Sequence, residues 1–409
     1  MKRTLTIIIL KLILVSNLFC GTNVILFIGD GMGQNAISVT RYITRGLDSL
    51  LFMETLPYQC RVKTYAKNGL ITDSGASGSA MATGEKTLVH WICVKDDGVT
   101  PNPTIVELAQ KEGYAVGIIT TMRLSHATPA TFTAHSASRS DEENIALQQI
   151  KLRPNLLLGG GMSYFLPASL GGARKDNINL LELAKNSGYT IVTNRQELLG
   201  LPDTVRYLLG IFANGHLKYE FKRDTLVEPS LSEMVKVALR ILPGLSKKGF
   251  FLMVEGGNID YAAHANDFVN LIGEVAELDR AVKIGIDFAQ KDKNTLLIVT
   301  ADHETGGFAL IGFEDSSGSV RVYPEPSETL FPFYRLERDG LYPLPGKNSL
   351  VFGWASNPQS LKRTQKGALG DHTPSDVWLG AMGPNANLFS GVVENTFIFS
   401  VMKKTLGLK

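Results

Sequence analysis

The sequence predicts an α/β fold, a three-layer α/β/α sandwich around a large, mostly parallel central sheet. Two observations carry this expectation. Five short runs are continuously aliphatic or β-branched with no polar face, which is the pattern of strands covered by helices on both sides. Between them lie helical patterns with recognisable ends, and strand alternating with helix is the signature of a doubly wound sheet.

The first apolar run is Asn23 to Gly29 (NVILFIG). A helix is expected over Thr104 to Glu112, where amphipathic spacing closes at Gly113, and a strand follows at Tyr114 to Thr121. Ser140 and Glu143 have the spacing of a capping box and would open a helix that must end before Pro154. A strand at Asn155 to Gly160 comes next, then helical patterns near Ile178 to Asn186 and Leu231 to Leu242. The run Gly249 to Val254, a long helix at Phe268 to Gln290 and the run Thr295 to Thr300 complete the alternation. From about Glu314 to Gly370 the alternation is lost and Pro, Gly, Ser and Tyr accumulate, so an irregular insertion or cap over one end of the sheet is expected there. No internal repeat or long linker appears, and residues 21–409 are expected to form a single domain.

The composition excludes other classes. A chain of 409 residues with 44% hydrophobic and 20% charged content is neither disordered nor a multi-span membrane protein. Lys and Arg number 41 against 39 Asp and Glu, so the net charge of +2 offers no general attraction to nucleic acid or an anionic membrane. An anionic ligand would have to be captured locally. Glycine is unusually frequent, 40 residues against the ~7% of an average protein.

Residues 1–20 read separately. Lys2 and Arg3 precede a mainly apolar run from Leu5 to Phe19, too short for a comfortable membrane span, as in a secretory signal. Lys11 interrupts it, and Leu18 and Phe19 stand where a cleavage site prefers small residues, so an uncleaved anchor or a lipid on Cys20 remain alternatives to export into the periplasm or medium. Cys60 and Cys93 lie at a separation that permits a disulfide, with two buried thiols the favoured alternative. No CxxC pair is present, which excludes a thiolate zinc site.

Ligands in such folds bind beyond the carboxyl ends of the strands, and these ends are rich in donors. The first strand runs into Gly29-Asp30-Gly31-Met32-Gly33, where an acid between glycines either faces a metal or sits in a tight turn. Thr72-Asp73-Ser74-Gly75-Ala76-Ser77-Gly78 is either a flexible loop or a helix start, with Ser74 a candidate nucleophile in the field of the first amides and Asp73 directly before it. After Val254 come Glu255 and then Asp260 and His264, one helical turn apart and able to share a metal. Asp302 and His303 follow the last strand, and Asp371-His372-Thr373 follows the irregular stretch. Asp30, Ser74, Glu255, Asp260, His264, Asp302, His303 and His372 are too many ligands for one metal and enough for two or three. Two metals beside a poised hydroxyl suit in-line phosphoryl transfer.

The segments GDGMG, TDSGASGSAMATG, VEGGNID with His264, TADHETGG and His372-Thr373, in this order, closely resemble the alkaline phosphatases. The resemblance extends to His126-Ala127-Thr128-Pro129-Ala130, Leu158-Gly159-Gly160-Gly161 and Leu388-Phe389-Ser390-Gly391-Val392, and so to essentially the whole chain after residue 20. It implies a phosphoric monoester hydrolase with two zinc ions and one magnesium ion. Asp260, His264 and His372 would hold one zinc, and Asp30, Asp302 and His303, completed by Ser74, the other. Asp30, Thr128 and Glu255 would hold magnesium, although zinc could occupy that third site. Arg139 would grip the substrate phosphate, and Ser74 would carry the phosphoryl group as a covalent intermediate. His126 and Tyr261 stand at positions that vary within the family and would act behind the ligands. The resemblance also implies a homodimer acting on small phosphate monoesters, with no nucleic-acid partner. Competing expectations are a phosphodiesterase or sulfatase of the same superfamily, and a non-catalytic phosphate or metal binder; the presence of every ligand and of Ser74 with Arg139 favours the monoesterase.

Overall fold

The computed structural model describes residues 21–314, 319–321, 334–337, 340–343, 349–355 and 370–409. Residues 1–20, with the expected export signal, lie outside the described residues. Ten strands form one sheet in the spatial order Val392–Glu394, Tyr58–Lys63, Val377–Met382, Thr295–Ala301, Asn23–Gly29, Phe250–Gly256, Ala115–Arg123, Leu156–Gly160, Leu208–Ile211 and Thr190–Val192. Only Val377–Met382 runs against its neighbours; all other pairings are parallel. The mostly parallel sheet predicted from the apolar runs is therefore present, and helices cover it.

Register places the functional end. Every residue of Asn23–Gly29 is buried, as are those of both flanking strands. Gly29 pairs with Gly256 on one side and with Ala301 on the other, while Thr120 pairs with Glu255. With strands ~4.8 Å apart, this register brings Asp30, Glu255 and Asp302 to one level at the carboxyl end of the sheet.

The Ser74–Thr83 helix is buried at every residue, which accounts for its run of Gly, Ala and Ser. A side chain on Gly78 would place Cβ 2.6 Å from the Thr131 hydroxyl, so only glycine lets this helix approach the Ala127–Thr133 helix. Capping boxes open Ile105–Lys111, from Thr104 and Glu107, and Leu231–Ile241, from Ser230 and Glu233. The capping box expected at Ser140 and Glu143 does not form. The helix spans Glu142–Leu152 behind Asp141 with no side-chain cap, because the Glu143 carboxylate accepts instead from the Lys175 amide at 2.9 Å. The predicted end before Pro154 holds, with Arg153 in the left-handed region as C-cap.

The stretch expected to be irregular is partly ordered into strands. Ala309–Glu314 pairs antiparallel with Ser349–Gly353 and with Val320–Arg321, and Tyr334–Glu337 pairs with Gly340–Pro343, all outside the main sheet. Phe352 from this region stacks on Phe268, ring centroids 3.8 Å apart, just after the helix that carries Asp260 and His264. Cys60 and Cys93 are free, buried thiols.

Replacing Gly78 with Ala tests the close helix contact. Alanine is the better helix former by up to ~1 kcal/mol, but overpacking costs ~1–3 kcal/mol. The urea midpoint is expected to fall, and a rise would contradict the packing described.

Candidate active site

The innermost group lies at the end of the central strand. Asp30, Asp302 and His303 have no exposed surface. His303 Nε2 is 3.4 Å from Asp30 Oδ1 and 3.3 Å from Asp302 Oδ2, and the Ser74 hydroxyl lies 3.3 Å from the same nitrogen. Ser74 Oγ is also 3.4 Å from both oxygens of Asp30. Asp302 is oriented by the amides of Gly31 and His303, which it accepts through Oδ1.

The outer group opens toward solvent. Asp260 is buried, whereas His264 and His372 are half-buried. His264 Nε2 lies 3.3 Å from Asp260 Oδ2 and 3.2 Å from His372 Nε2. Thr305 donates to Asp260 Oδ1 at 2.6 Å. Gly31 permits this contact: its φ of +67° favours glycine, and a Cβ there would stand 2.7 Å from both Asp260 Oδ1 and the Thr305 hydroxyl. A third group joins Asp30 to Glu255 and His126, with Thr128 Oγ1 3.4 Å from Asp30 Oδ2.

Ser74 begins its helix directly after Asp73, whose carboxylate caps it by accepting from the Ala76 amide. Asp73 also accepts from the His90 amide at 3.0 Å and from Arg139 Nη1 at 2.7 Å. Burial works to raise the Asp73 carboxyl, but the Arg139 charge and the two amides outweigh it and hold it at about 2. The guanidinium of Arg139 is thereby fixed at the edge of a cavity of about 300 Å³ lined by Ser74, His126, Arg139, Asp260, Tyr261, His264 and His372.

These residues fit metal ions on grounds internal to the structure. His264 Nδ1 donates to the Gly370 carbonyl and His372 Nδ1 to the Thr72 carbonyl, each at 2.8 Å, which aims both Nε2 atoms at one point. Either an extra proton or a cation must lie between them. Burial works against charge on His264, yet the hydrogen bond and charge of Asp260 push its imidazole up to about 9, so the site favours a positive charge. Asp302 Oδ2 and Glu255 Oε1 are buried without a hydrogen-bond partner. Burial, followed by the negative charges of Asp302, Asp260 and Glu255, pushes Asp30 well above the usual carboxylate range, and burial raises Glu255 to about 7. Carboxylates so placed can all ionise together only if cations join them. The donor atoms of Asp260–His264–His372, of Asp30–Asp302–His303 and of Asp30–His126–Glu255 lie within 4.8 Å of one another in each group, and their nitrogen and oxygen mixture suits zinc.

All site residues expected from the sequence converge here. His126 alone changes part: expected behind the ligands, it faces Asp30 and Glu255 directly, and its Nδ1 is buried without a partner. Sequence reasoning missed Thr120, which donates to Glu255, and Thr305, which aligns Asp260. It also missed His216, whose Nε2 is 2.9 Å from the Tyr261 hydroxyl and which pairs with Arg123, itself held by a bidentate bond to Glu142 at 2.8 Å. Thr305 was within sight in the HETGG run; His216 stands in an Asn-Gly-His loop with no strand-end signal.

A parallel sheet carrying a buried serine amid clustered Asp and His donors defines a metal-dependent hydrolase of phosphate esters. Residues 21–408 match the family model for alkaline phosphatase, and the chain belongs to the alkaline phosphatase family. Alkaline phosphatase 3 of Bacillus subtilis is 34% identical over 94% of this chain and 88% of its own length. The tissue-nonspecific alkaline phosphatase of Mus musculus is 34% identical, over 93% and 82% of the two chains. The solved alkaline phosphatase of the Antarctic bacterium TAB5 aligns with a TM-score of 0.77 at 28% identity, covering 95% of this chain and 99% of that one. Variants of that enzyme with a histidine changed to Asp or Glu have Mg bound in the M3 site. The fold is thus that of alkaline phosphatases, a family that acts on phosphate monoesters.

Removing metal should destabilise the protein. A ligand at 100 times its dissociation constant stabilises by ~2.7 kcal/mol, so calorimetry should show a lower unfolding midpoint after chelation and recovery with zinc. An unchanged midpoint would contradict cation binding at these groups.

Proposed function

We propose that the protein is an alkaline phosphatase that transfers the phosphoryl group of a monoester to Ser74 and then to water. The observation that carries this reading is the placement of the Ser74 hydroxyl: first residue of a buried helix, 3.3 Å from His303 and 3.4 Å from Asp30, in the same cavity as Arg139. The helix amides favour negative charge at Ser74 and on a phosphate before it. Arg139, with Nη1 committed to Asp73 and Nη2 3.2 Å from His126 Nε2, is held at the cavity edge where its guanidinium can meet the non-bridging oxygens. The Ser74 oxygen bonds to phosphorus as the bond to the leaving alcohol breaks on the opposite side. Water then attacks the phosphoserine, releasing inorganic phosphate and restoring the hydroxyl.

We assign one zinc to Asp260, His264 and His372, a second to Asp30, Asp302, His303 and Ser74, and magnesium to Asp30, Thr128 and Glu255. When bound, such ions stabilise developing negative charge and make a coordinated hydroxyl or water more acidic. His126 supplies a nitrogen donor beside the third group, which lets zinc compete there. Asp73 fixes Arg139, and Tyr261, held by His216, forms one wall of the cavity. The same reading takes residues 21–409 as one catalytic domain and residues 1–20 as the signal for export beyond the cytoplasm, supported by their basic start and apolar centre. It takes the homodimer from the family. No helix among the described residues is long and apolar enough to cross a membrane.

Ser74→Ala should lower kcat on the order of 10³-fold or more and abolish trapping of radiolabelled phosphate on the protein. Retained labelling would overturn the assignment. Parallel assays with a diester and a sulfate ester should show far slower hydrolysis than a monoester, and a faster rate on either would reassign the reaction.

A further inference from the structure

The reaction occupies one cavity, and a second adjoins it. A groove of about 580 Å³ shares Tyr261 with the phosphate cavity and extends over His216, Lys218, Tyr219, Lys222 and Asn258. Its volume lies within the ~300–1,000 Å³ of small-molecule sites. His216 holds the Tyr261 ring at the boundary, the two rings 4.6 Å apart and joined by the 2.9 Å contact to the phenol oxygen.

Charge distinguishes this groove. No Asp or Glu lines it. Lys218 and Lys222 are exposed, and neither has an ion-pair partner among the described residues. Beside Lys218, buried Glu228 accepts from the Lys218 backbone amide and feels the charge of its ammonium, but forms no ion pair with it. Lys222 Nζ stands 5.4 Å from the centre of the Tyr219 ring, so a cation lies beside an aromatic face. In a chain with 41 basic and 39 acidic residues, two exposed ammonium groups on a groove lined by no acid form a local anion-attracting surface.

Tyr261 lines both cavities, so a leaving group that extends past it from a phosphate at Ser74 and Arg139 enters the groove. We infer that the groove receives the leaving alcohol, and that Lys218 and Lys222 favour alcohols carrying a second anionic group, a carboxylate or a phosphate. This rests on the monoesterase reading and adds to it a substrate class. Tyr219 and Tyr261 supply flat surfaces for the body of the leaving group.

The test uses metal-replete full-length enzyme and three esters: 4-carboxyphenyl phosphate, 4-(phosphonomethyl)phenyl phosphate and the neutral 4-carbamoylphenyl phosphate. The anionic esters should show about a fivefold higher kcat/KM, the size that two exposed ion pairs give, declining as salt is raised. Lys218→Gln with Lys222→Gln should abolish this preference and leave the neutral ester unchanged. A preference for one anionic ester alone supports the inference and names the anion. Equal kcat/KM for all three, or an equal loss on all three in the double variant, overturns it. Should none be hydrolysed, the monoesterase reading fails, and calorimetric binding of the corresponding non-hydrolysable phosphonates still decides the groove: tighter anionic binding lost in the double variant supports it, and equal binding overturns it.

Discussion

The structure depends on how it compensates negative charge buried at the end of its sheet. Asp30, Glu255, Asp260 and Asp302 are all buried within one small volume. Their mutual repulsion and desolvation, seen in the raised Asp30 and Glu255 carboxyls, would oppose folding unless positive charge lay among them. Arg139 and a protonated His264 supply only part of it, since burial holds the His303 imidazole down at about 4 and so neutral. The register that aligns Gly29 with Gly256 and Ala301 therefore makes sense as a device for gathering cation ligands. The packing that would otherwise be costly becomes favourable when ions join the groups.

The site is graded from inside to outside. Asp30, Asp302 and His303 are sealed in the protein, whereas His264 and His372 border the cavity. Ser74 lies against the sealed group and faces the cavity that the open group borders. Arg139 is anchored by Asp73, and Asp73 is in turn fixed by the Ala76 amide in the first turn of the Ser74 helix and by the amide of His90. One carboxylate thus ties the start of the Ser74 helix to the Arg139 guanidinium. Phe352, in the Ser349–Gly353 strand, stacks on Phe268, four residues after His264.

Much of this was legible in the sequence because the central strands are buried on both faces and read as unbroken apolar runs. Asp30, Glu255, Asp260, His264, Asp302 and His303 directly follow those runs, so their convergence at one end of the sheet was legible from their position in the sequence. Less visible were strands at the sheet margins. Tyr58–Lys63 alternates exposed and buried residues and is only six residues long, and Thr190–Val192 is shorter still. The Ser140 capping box failed because Glu143 had a tertiary partner that local spacing cannot reveal. Arg139 came from family resemblance alone, since nothing local ties it to Asp73, 66 residues away. His216 escaped notice for the same reason: its partners, Arg123 and Tyr261, come from distant parts of the chain.

The most direct measurement is anomalous diffraction at the zinc edge from crystals of protein purified without chelator and supplied with zinc. The expected result is one peak within Asp260–His264–His372 and another within Asp30–Asp302–His303, each at ~2.0–2.2 Å from the ligating nitrogen and oxygen atoms. Zinc-replete crystals with no peak at either group would contradict the claim that cations hold this site together.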